Sequence, residues 1–279
     1  MTHTFDGICP ICEYKTQFRA ETPWYRDYLF CSHCHSIPRE RAFAYCLKTF
    51  IPNWRSMVLH ECAPEDRGIS ARMRREAKQY IGSHFFADVP RGQMHKGYRS
   101  ENLEALTFDD NSIDIHCHLD VLEHVNRPDL CFAEMHRTLR PGGHIIFTTP
   151  IIAGKLKTER KAKIDENGVT FFGEPEYHGN PIDADGSPVT FHYGSDLADL
   201  ILSWIPGASV RMITLNDQGI GVLGAYREVF VVTTPGGTQP SLIRRLSMRL
   251  DRLRGNGMRK FLRQQKMKQM IRGKVGRPA

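Results

Sequence analysis

Between positions 56 and 150 the chain alternates short apolar runs with helical patterns. The runs SMVLHECA, YIGSHFF, SIDIHCHLDVL and HIIFTTP have the length and composition of strands. Between them, ISARMRREAKQY and DLCFAEMHRTLR predict helices, and the segment PGG is expected to end the second one. Strands that alternate with helices predict a parallel sheet with right-handed crossovers. Because ligands bind at the carboxyl ends of such strands, we expect the site there.

Four cysteines near the start form two Cys-x-x-Cys pairs, separated by 18 residues: Cys9, Cys12, Cys31 and Cys34. Each pair can present two thiolates on one tight turn, and two such turns complete a closed tetrahedral site for Zn²⁺. Four thiolates leave no open coordination position, so the expected zinc is structural. The alternatives are unrelated thiols or two disulfides.

The segments around these cysteines predict a small module over residues 1–50, with a treble-clef or zinc-ribbon-like layout. EYKTQF and WYRDYLF, between the two pairs, have the aromatic content of a β-hairpin. Pro38 and Glu40 mark the first turn of a helix that runs through RERAFAYCLKTF.

Charge is distributed unevenly along the chain. The whole chain carries a formal net charge of +7, but residues 240–279 hold 13 Lys and Arg against the single acid Asp251. That segment is therefore +12, which leaves −5 for the rest. Leucines at four positions share one face of a basic amphipathic helix in this tail, which we place at 236–279: Leu242, Leu246, Leu250 and Leu253. This pattern predicts that the tail contacts an anionic membrane surface. The alternatives are that it binds RNA phosphates or that it is a solvated extension.

The first residues, MTHTFDGICP, lack a secretory signal pattern, and no apolar run approaches the roughly 20 residues that cross a bilayer. We therefore expect a cytoplasmic protein, with peripheral contact at the inner membrane surface through the tail.

The block LTFDDNSIDIHCHLDVLEHVNRPDLCFAEMHRTLRPGGHIIFTTP, residues 106–150, resembles the central part of class I S-adenosylmethionine-dependent methyltransferases of the type 11-like group. In that family an L-P-F-x-D-x-S-F-D segment precedes strand four, and V-L-E-H-V, a helix and L-K-P-G-G lead into strand five. The resemblance implies a Rossmann-like α/β domain over residues 51–235. Its last strand would be antiparallel, with ASVRMITL and YREVFVVTT as the final two strands.

The resemblance also implies cofactor contacts. Acid or amide side chains of SENLEAL would face the adenine amino group, which makes Glu101 and Asn102, with the adjoining Leu103, candidates. Asp120 and its backbone would lie beside the methionine end of S-adenosyl-L-methionine.

The first strand ends in ECAPEDRG, where the family usually has D-x-G-x-G-x-G. His60 or Glu61 stands at the expected acid, Ala63 is the small residue that allows backbone approach, and Gly68 comes later than usual. Ser83, followed by His84, stands near the expected ribose-binding acid. The departures leave two interpretations: a variant cofactor loop, which we favour, or a scaffold whose binding has decayed.

A second group of polar residues follows the fourth strand. Asp120, Glu123 and His124 come as D-V-L-E-H, and His192 precedes a later helix. Relatives with an E-x-x-E-H cluster hold a divalent ion there, which predicts a second ion at Asp120, Glu123, His124 and His192. The alternatives are that His124 is a general base, with Asp120 and His192 as further catalytic residues, or that it makes a structural hydrogen bond.

A long polar insertion at 153–194 follows the fifth strand and predicts a lid over the acceptor. Candidate contacts are Glu174, Tyr177, His178, Asn180 and His192. A disordered surface loop is the alternative.

Together these features predict an enzyme that transfers a methyl group from S-adenosylmethionine to a hydroxyl of a small molecule, sugar or glycolipid. One alternative is an RNA methyltransferase, although the turn after strand four lacks the [D/N]-P-P-[Y/F] of exocyclic base-amine methylation. The other is a zinc-stabilised binding module with a defunct pocket. Oligomeric state is open.

Overall fold

The computed structural model describes residues 2–180 and 182–236. The predicted basic helix in the tail lies outside these residues. Within the described ranges, no helix is long and apolar enough to span a bilayer.

The N-terminal part consists of three short strands and two helices: β1 (His3–Ile8), β2 (Lys15–Ala20), α1 (Tyr25–Tyr28), β3 (Phe30–Cys31) and α2 (Pro38–Phe50). β2 pairs antiparallel with both β1 and β3. The predicted hairpin between EYKTQF and WYRDYLF is confirmed only at its end, where Phe30 of β3 pairs with Arg19 of β2, because much of the second segment forms the helix α1. The turn at the first cysteine pair, closed by a hydrogen bond from Glu13 N to Cys9 O with Glu13 at φ 63°, already joins β1 to β2.

The remaining elements follow in chain order: β4 (Val58–Cys62), α3 (Gly68–Glu76), β5 (Gln79–His84), β6 (Met94–His95), β7 (Tyr98–Ser100), β8 (Ile113–Leu119), α4 (Pro128–Thr138), β9 (Leu139–Thr148), β10 (Glu159–Arg160), β11 (Ala162–Asp165), β12 (Gly168–Phe171), β13 (Tyr177–Asn180), β14 (Asp183–Pro188), β15 (Phe191–His192), α5 (Leu197–Trp204), β16 (Ser209–Thr214) and β17 (Glu228–Thr233).

Eight of these strands form the large sheet, in the order β16-β17-β9-β8-β4-β5-β7-β6. The five central strands run parallel, and β17 is antiparallel to both β9 and β16. The predicted α/β class, with an antiparallel last strand, is confirmed. The predicted end of the helix at PGG is late: α4 ends at Thr138, and the glycines lie inside β9, where the register with β8 shifts.

The N-terminal module shares its core with the sheet. Helix α2 packs against β9 and β17, and its Phe43 belongs to the same buried cluster as Phe18 of β2, Leu59 of β4 and Ile146 of β9. The buried guanidinium of Arg41 donates to the carbonyl oxygens of Leu29 and Gly221, which joins α2 to the segment before β17. Residues 1–50 therefore do not have a hydrophobic core of their own.

The insertion at 153–194 forms small antiparallel pairs rather than an unstructured loop. Strands β11 and β12 make one hairpin, β13 and β14 make another, and β10 pairs with β15. These pairs stand beside the carboxyl ends of the central strands and wall the cavity described next.

Candidate active site

A cavity of about 1550 Å³ opens at the carboxyl ends of β4, β5 and β8. Its walls come from three parts of the chain: the region around α1, the strand ends and the insertion. Seven of the predicted cofactor and catalytic residues line it: Ala63, Glu101, Asn102, Leu103, Asp120, His124 and His192.

The turn after β4 has the backbone shape that a glycine would favour. Ala63 has φ 55°, and its backbone N–H donates to Ser83 O at 2.7 Å. A left-handed conformation is strained for alanine, but its single methyl group keeps the side chain small beside the cavity. The irregular ECAPEDRG segment thus keeps a tight turn at this end of the sheet.

Two predicted cofactor residues on β4 are directed into the protein instead of the cavity. The carboxylate of Glu61 accepts hydrogen bonds from Ser70 Oγ at 2.5 Å and Tyr80 Oη at 2.7 Å, and burial raises its pKa to about 7. The ring of His60 is fully buried, with Nε2 2.8 Å from Ser83 Oγ, and burial lowers its pKa to about 3. The hydroxyl of Ser83 is therefore hydrogen-bonded to His60 inside the protein, and its neighbour His84 lines the cavity instead.

Gly68 also lies away from the cavity wall. It begins α3 at φ 58°, against the side chain of Glu40 in α2, whose carboxylate accepts from Ile37 N and Arg67. Its role in this structure is to let the two helices approach.

The predicted adenine-side residues lie together at the cavity wall. The buried carboxylate of Glu101 accepts from Arg99 Nε at 2.7 Å and from the backbone N and hydroxyl of Thr107. Asn102 uses Oδ1 to accept from Glu104 N at 2.9 Å, which leaves its amide NH₂ as a donor. Glu101 therefore holds the loop in shape, and Asn102 is the residue with capacity to bind a ligand.

Asp120, at the end of β8, is held by the N-terminal module. Its Oδ2 accepts from Arg26 Nη2 at 2.6 Å and Arg39 Nε at 3.2 Å, and its Oδ1 accepts from Thr148 Oγ1 at 2.7 Å. Arg26, Arg39, Trp24 and Tyr226 line the cavity as well, and no sequence pattern indicated any of them.

Five other titratable residues form a second group in the cavity lining. Glu123 Oε1 is 3.9 Å from both His124 Nε2 and His178 Nδ1, and Glu176 contacts His178 and His192. Burial raises the pKa of Glu123 to about 8 and lowers that of His124 to about 4, so both are neutral at pH 7 in this arrangement.

The predicted second ion site is brought together only in part. Glu123 and His124 cluster with His178, all three ligand atoms lying within 4.8 Å of one another. Asp120 is instead paired with arginines, and His192 Nε2 lies 2.6 Å from Glu176 Oε2.

The four N-terminal cysteines converge as their spacing predicts. Cys9 Sγ lies 3.7 Å from Cys34 Sγ, and Cys12 Sγ lies 3.9 Å from Cys31 Sγ. Tetrahedral Zn–S bonds of roughly 2.3 Å place the sulfur atoms about 3.8 Å apart, so the thiols fit a zinc ion. All four cysteines are free thiols, which excludes the two-disulfide alternative in this structure.

One family model matches part of the chain. Residues 68–147 match the model of the methyltransferase domain family. No curated protein matches the chain.

Several solved structures are similar in fold. An S-adenosylmethionine-dependent methyltransferase from Mesorhizobium loti is 16% identical at a TM-score of 0.46, over 69% of this chain and 97% of that one. An S-adenosylmethionine-dependent methyltransferase from Methanosarcina mazei is 13% identical at a TM-score of 0.41, and the match covers 68% of this chain and 98% of that one. A third similar structure is the 1,6-didemethyltoxoflavin-N1-methyltransferase of Burkholderia thailandensis, which was solved with S-adenosylhomocysteine. It is 12% identical at a TM-score of 0.42, and the match covers 71% of this chain and 78% of that one.

The family match falls on the segment that runs from α3 into β9, which contains β5, β7, β8 and most of β9 together with part of the cavity wall. The strand order, the antiparallel β17 and the cavity at the strand ends agree with it. Residues 68–147 therefore match a methyltransferase domain, and this match supports an enzyme.

Proposed function

We propose that the protein methylates a hydroxyl group of a small molecule, sugar or glycolipid. The observation that carries the proposal is the large cavity at the strand ends, which five of the predicted cofactor residues and several histidines line. Its volume, about 1550 Å³, exceeds the roughly 300–1,000 Å³ of ordinary ligand sites and leaves room for a nucleoside cofactor beside an acceptor.

S-adenosylmethionine supplies an electrophilic methyl group, and the protein's own residues hold the two reactants. Asn102 and Leu103 would contact the adenine, while Ala63 and Asp120 would lie along the rest of the cofactor. The insertion would cover the acceptor and exclude water. Holding both reactants in line is the main source of rate in such a transfer.

A histidine would accept the hydroxyl proton. Neutral His124 qualifies because its Nδ1 donates to Pro188 O at 3.0 Å, which leaves Nε2 free to accept. His192 also qualifies, since Glu176 fixes its Nε2 as the donor and leaves Nδ1 as the acceptor.

The first test is calorimetric titration of the zinc-loaded protein with S-adenosylmethionine and S-adenosylhomocysteine. We expect micromolar binding that Asn102→Ala weakens about tenfold, the loss of one hydrogen bond. Asn167→Ala, on the insertion side of the cavity, is the control and should bind normally. Failure of the folded protein to bind either compound would overturn the proposal and favour the decayed scaffold.

The acceptor is then sought by following methyl-labelled cofactor with polyhydroxylated small molecules, sugars and glycolipids. Transfer to RNA alone would replace the proposed acceptor class. If methyl transfer is unchanged in both His124→Ala and His192→Ala, neither histidine acts as the base.

We also propose that the basic segment at 240–279 brings the enzyme to anionic membranes, where a glycolipid acceptor would lie. The support is its excess of 12 positive charges with leucines at helical spacing. Sedimentation with vesicles containing anionic lipid, with and without this segment, tests it.

A further inference from the structure

The cavity lining contains a buried carboxyl oxygen without a partner. Glu123 is 2% exposed, and its Oε1 has no hydrogen-bond partner among the residues that the structure describes. Its other oxygen accepts from Thr149 Oγ1 at 3.0 Å, which fixes the direction of the carboxyl group. A buried polar atom without a hydrogen bond is costly, so Oε1 requires a partner that these residues do not supply.

Two histidines direct a lone pair toward the same oxygen. Because a carbonyl only accepts, His124 Nδ1 must donate to Pro188 O, and His124 Nε2 is left as an acceptor 3.9 Å from Glu123 Oε1. His178 Nε2 lies 3.4 Å from Glu176 Oε1, which favours a proton there and leaves His178 Nδ1 as an acceptor, also 3.9 Å from Glu123 Oε1. With Glu123 ionised, three acceptors converge and no donor lies among them.

A primary ammonium group matches this arrangement in the number of its donors. It offers three N–H donors and no acceptor, so each donor can be assigned to one of the three atoms. A hydroxyl group has a single donor and would leave two of the acceptors without a partner. Its positive charge also compensates the charge of a buried carboxylate, which a neutral ligand does not.

The spacing of the three atoms suits a nitrogen as well. One ring nitrogen of each histidine and one oxygen of Glu123 all lie within 4.8 Å of one another. Two atoms 3.9 Å apart subtend about 88° at a nitrogen about 2.8 Å from both, which hydrogen bonds tolerate with small departures from linearity. At a transition-metal ion with bonds of about 2.1 Å they would subtend about 136°, beyond the tetrahedral or octahedral angle. An ammonium group therefore fits the side chains as they stand, whereas a metal ion requires them to move.

We propose that Glu123, His124 and His178 bind a primary ammonium group of the methyl acceptor, which is therefore an amino sugar or another amino alcohol. This inference rests on the proposed function and names its substrate class. All three residues line the cavity together with His192, which Glu176 links to His178. The ammonium group anchors the acceptor, and a hydroxyl elsewhere on the same molecule receives the methyl group.

The transfer follows from this division of roles. The methyl–sulfur bond breaks and a methyl–oxygen bond forms, while the ammonium group keeps its three protons and has no lone pair to be methylated. Since the ammonium group occupies His124 Nε2, the hydroxyl proton passes to His192 and then to solvent. The products are a methyl ether with its ammonium group intact, S-adenosylhomocysteine and a proton.

Ionisation of Glu123 should accompany binding. Burial raises its pKa to about 8, and a cation at hydrogen-bond distance favours the carboxylate, so binding at pH 7 releases a proton. The affinity should therefore rise about tenfold from pH 7 to pH 9, as the ionised fraction of Glu123 rises. The titratable and charged groups around this carboxyl are Asp120, Arg26, His124, His178, Glu176 and Tyr193.

The test uses the full-length, zinc-loaded protein with S-adenosylhomocysteine bound. It is titrated with methylammonium and separately with methanol, and binding is followed by long-range proton–nitrogen NMR of the histidine rings. We expect methylammonium to shift the signals of His124 and His178 to saturation, and methanol to leave them unchanged. Glu123→Gln should weaken methylammonium binding about 10- to 100-fold and remove its increase with pH, and His178→Ala should weaken it about tenfold.

His95→Ala is the matched control, because His95 lines the same cavity outside the cluster and should leave methylammonium binding unchanged. The ammonium site is overturned if methylammonium shifts neither histidine, or if Glu123→Gln binds it as tightly as the parent. Binding that S-adenosylhomocysteine blocks would also overturn it, because the cofactor's own amino group would then occupy the site.

The substrate class is tested with pairs of compounds that differ only in an amino or a hydroxyl group, such as glucosamine and glucose. We expect O-methylation of the amino member with a kcat/KM at least about tenfold higher, the worth of one charge-assisted hydrogen bond. Equal transfer within every pair, or transfer to nitrogen, would overturn the class. Methylammonium binding without methyl transfer to any compound would support the ammonium site and remove the proposed function.

Discussion

Arg26 Nη2 lies 2.6 Å from Asp120 Oδ2, although 94 positions separate the two residues in the chain. Arg39 Nε reaches the same oxygen at 3.2 Å, and Asp27 pairs with both arginines. The N-terminal module thus sets the position of an acid at the end of β8, directly on the cavity. A part of the chain that looks like an accessory domain in the sequence contributes to the wall of the active site.

We expect Asp120→Asn to lower the free energy of unfolding by about 2–4 kcal/mol, because Arg26 and Arg39 would be left half-buried with Asp27 as their remaining partner. Urea unfolding measures this. Asp165→Asn, which loosens the exposed pair of Asp165 with Lys163, should leave the free energy of unfolding nearly unchanged. Equal losses in the two variants would show that the arginines do not depend on Asp120.

Loss of the four-cysteine site should weaken the whole enzyme. Cys31→Ser is expected to lower the zinc content from one per chain to near zero, and to reduce the midpoint of thermal unfolding and the binding of S-adenosylhomocysteine together, because the module shares the sheet's core. Cys46→Ser is the control: Cys46 is buried in α2 outside the cluster, so zinc should be retained. Full zinc content in Cys31→Ser would contradict the ligand assignment.

Gly68→Ala should lower the free energy of unfolding by more than the strained backbone conformation alone accounts for. A Cβ there would lie 2.5 Å from Glu40 Oε1, at φ 58°. At Gly97, which has φ 81°, an added methyl group would meet no atom within 4 Å, so Gly97→Ala isolates the backbone cost of roughly 1 kcal/mol. We expect Gly68→Ala to exceed Gly97→Ala by about 1–3 kcal/mol in chemical unfolding. Similar losses would mean that Glu40 moves aside freely.

The stability of the protein should depend on the ionisation of Glu61. Burial raises its pKa from an ordinary 4.5 to about 7, so its protonated form is favoured in the folded state. Its contribution is therefore full below pH 4.5 and is lost as the pH rises to about 7, by about 3 kcal/mol.

Glu61→Gln removes this titration, so the stability of the variant relative to the parent should increase across the same window, as measured by urea unfolding at several pH values. The buried histidines titrate equally in both proteins and cancel in the difference. A difference that stays constant from pH 4.5 to 7 would show that folding does not raise the pKa of Glu61.

The sequence by itself determined four central strands, the helices between them and the cluster of four cysteines. Periodic apolar runs predicted the strands β4, β5, β8 and β9 and the helices between them, because these patterns follow from local backbone geometry. The paired cysteine spacing predicted one cluster of four thiols, since each pair is confined to a single turn. The glycine-poor loop after β4 was expected to allow close backbone approach through a small residue, and Ala63 provides its tight turn.

Only the tertiary structure decided which polar residues face the cavity. Successive residues of a strand point to opposite faces of the sheet, and both faces of a parallel sheet are covered by other elements. The apolar pattern of a strand therefore does not indicate which of its polar side chains are directed toward the ligand. Glu61 and His60 are interior groups for this reason. Arg26 and Asp120 are in contact although 94 positions separate them, and His178 lies beside Glu123 and His124 although about 55 positions separate them. Local sequence patterns carry no information about such distant contacts.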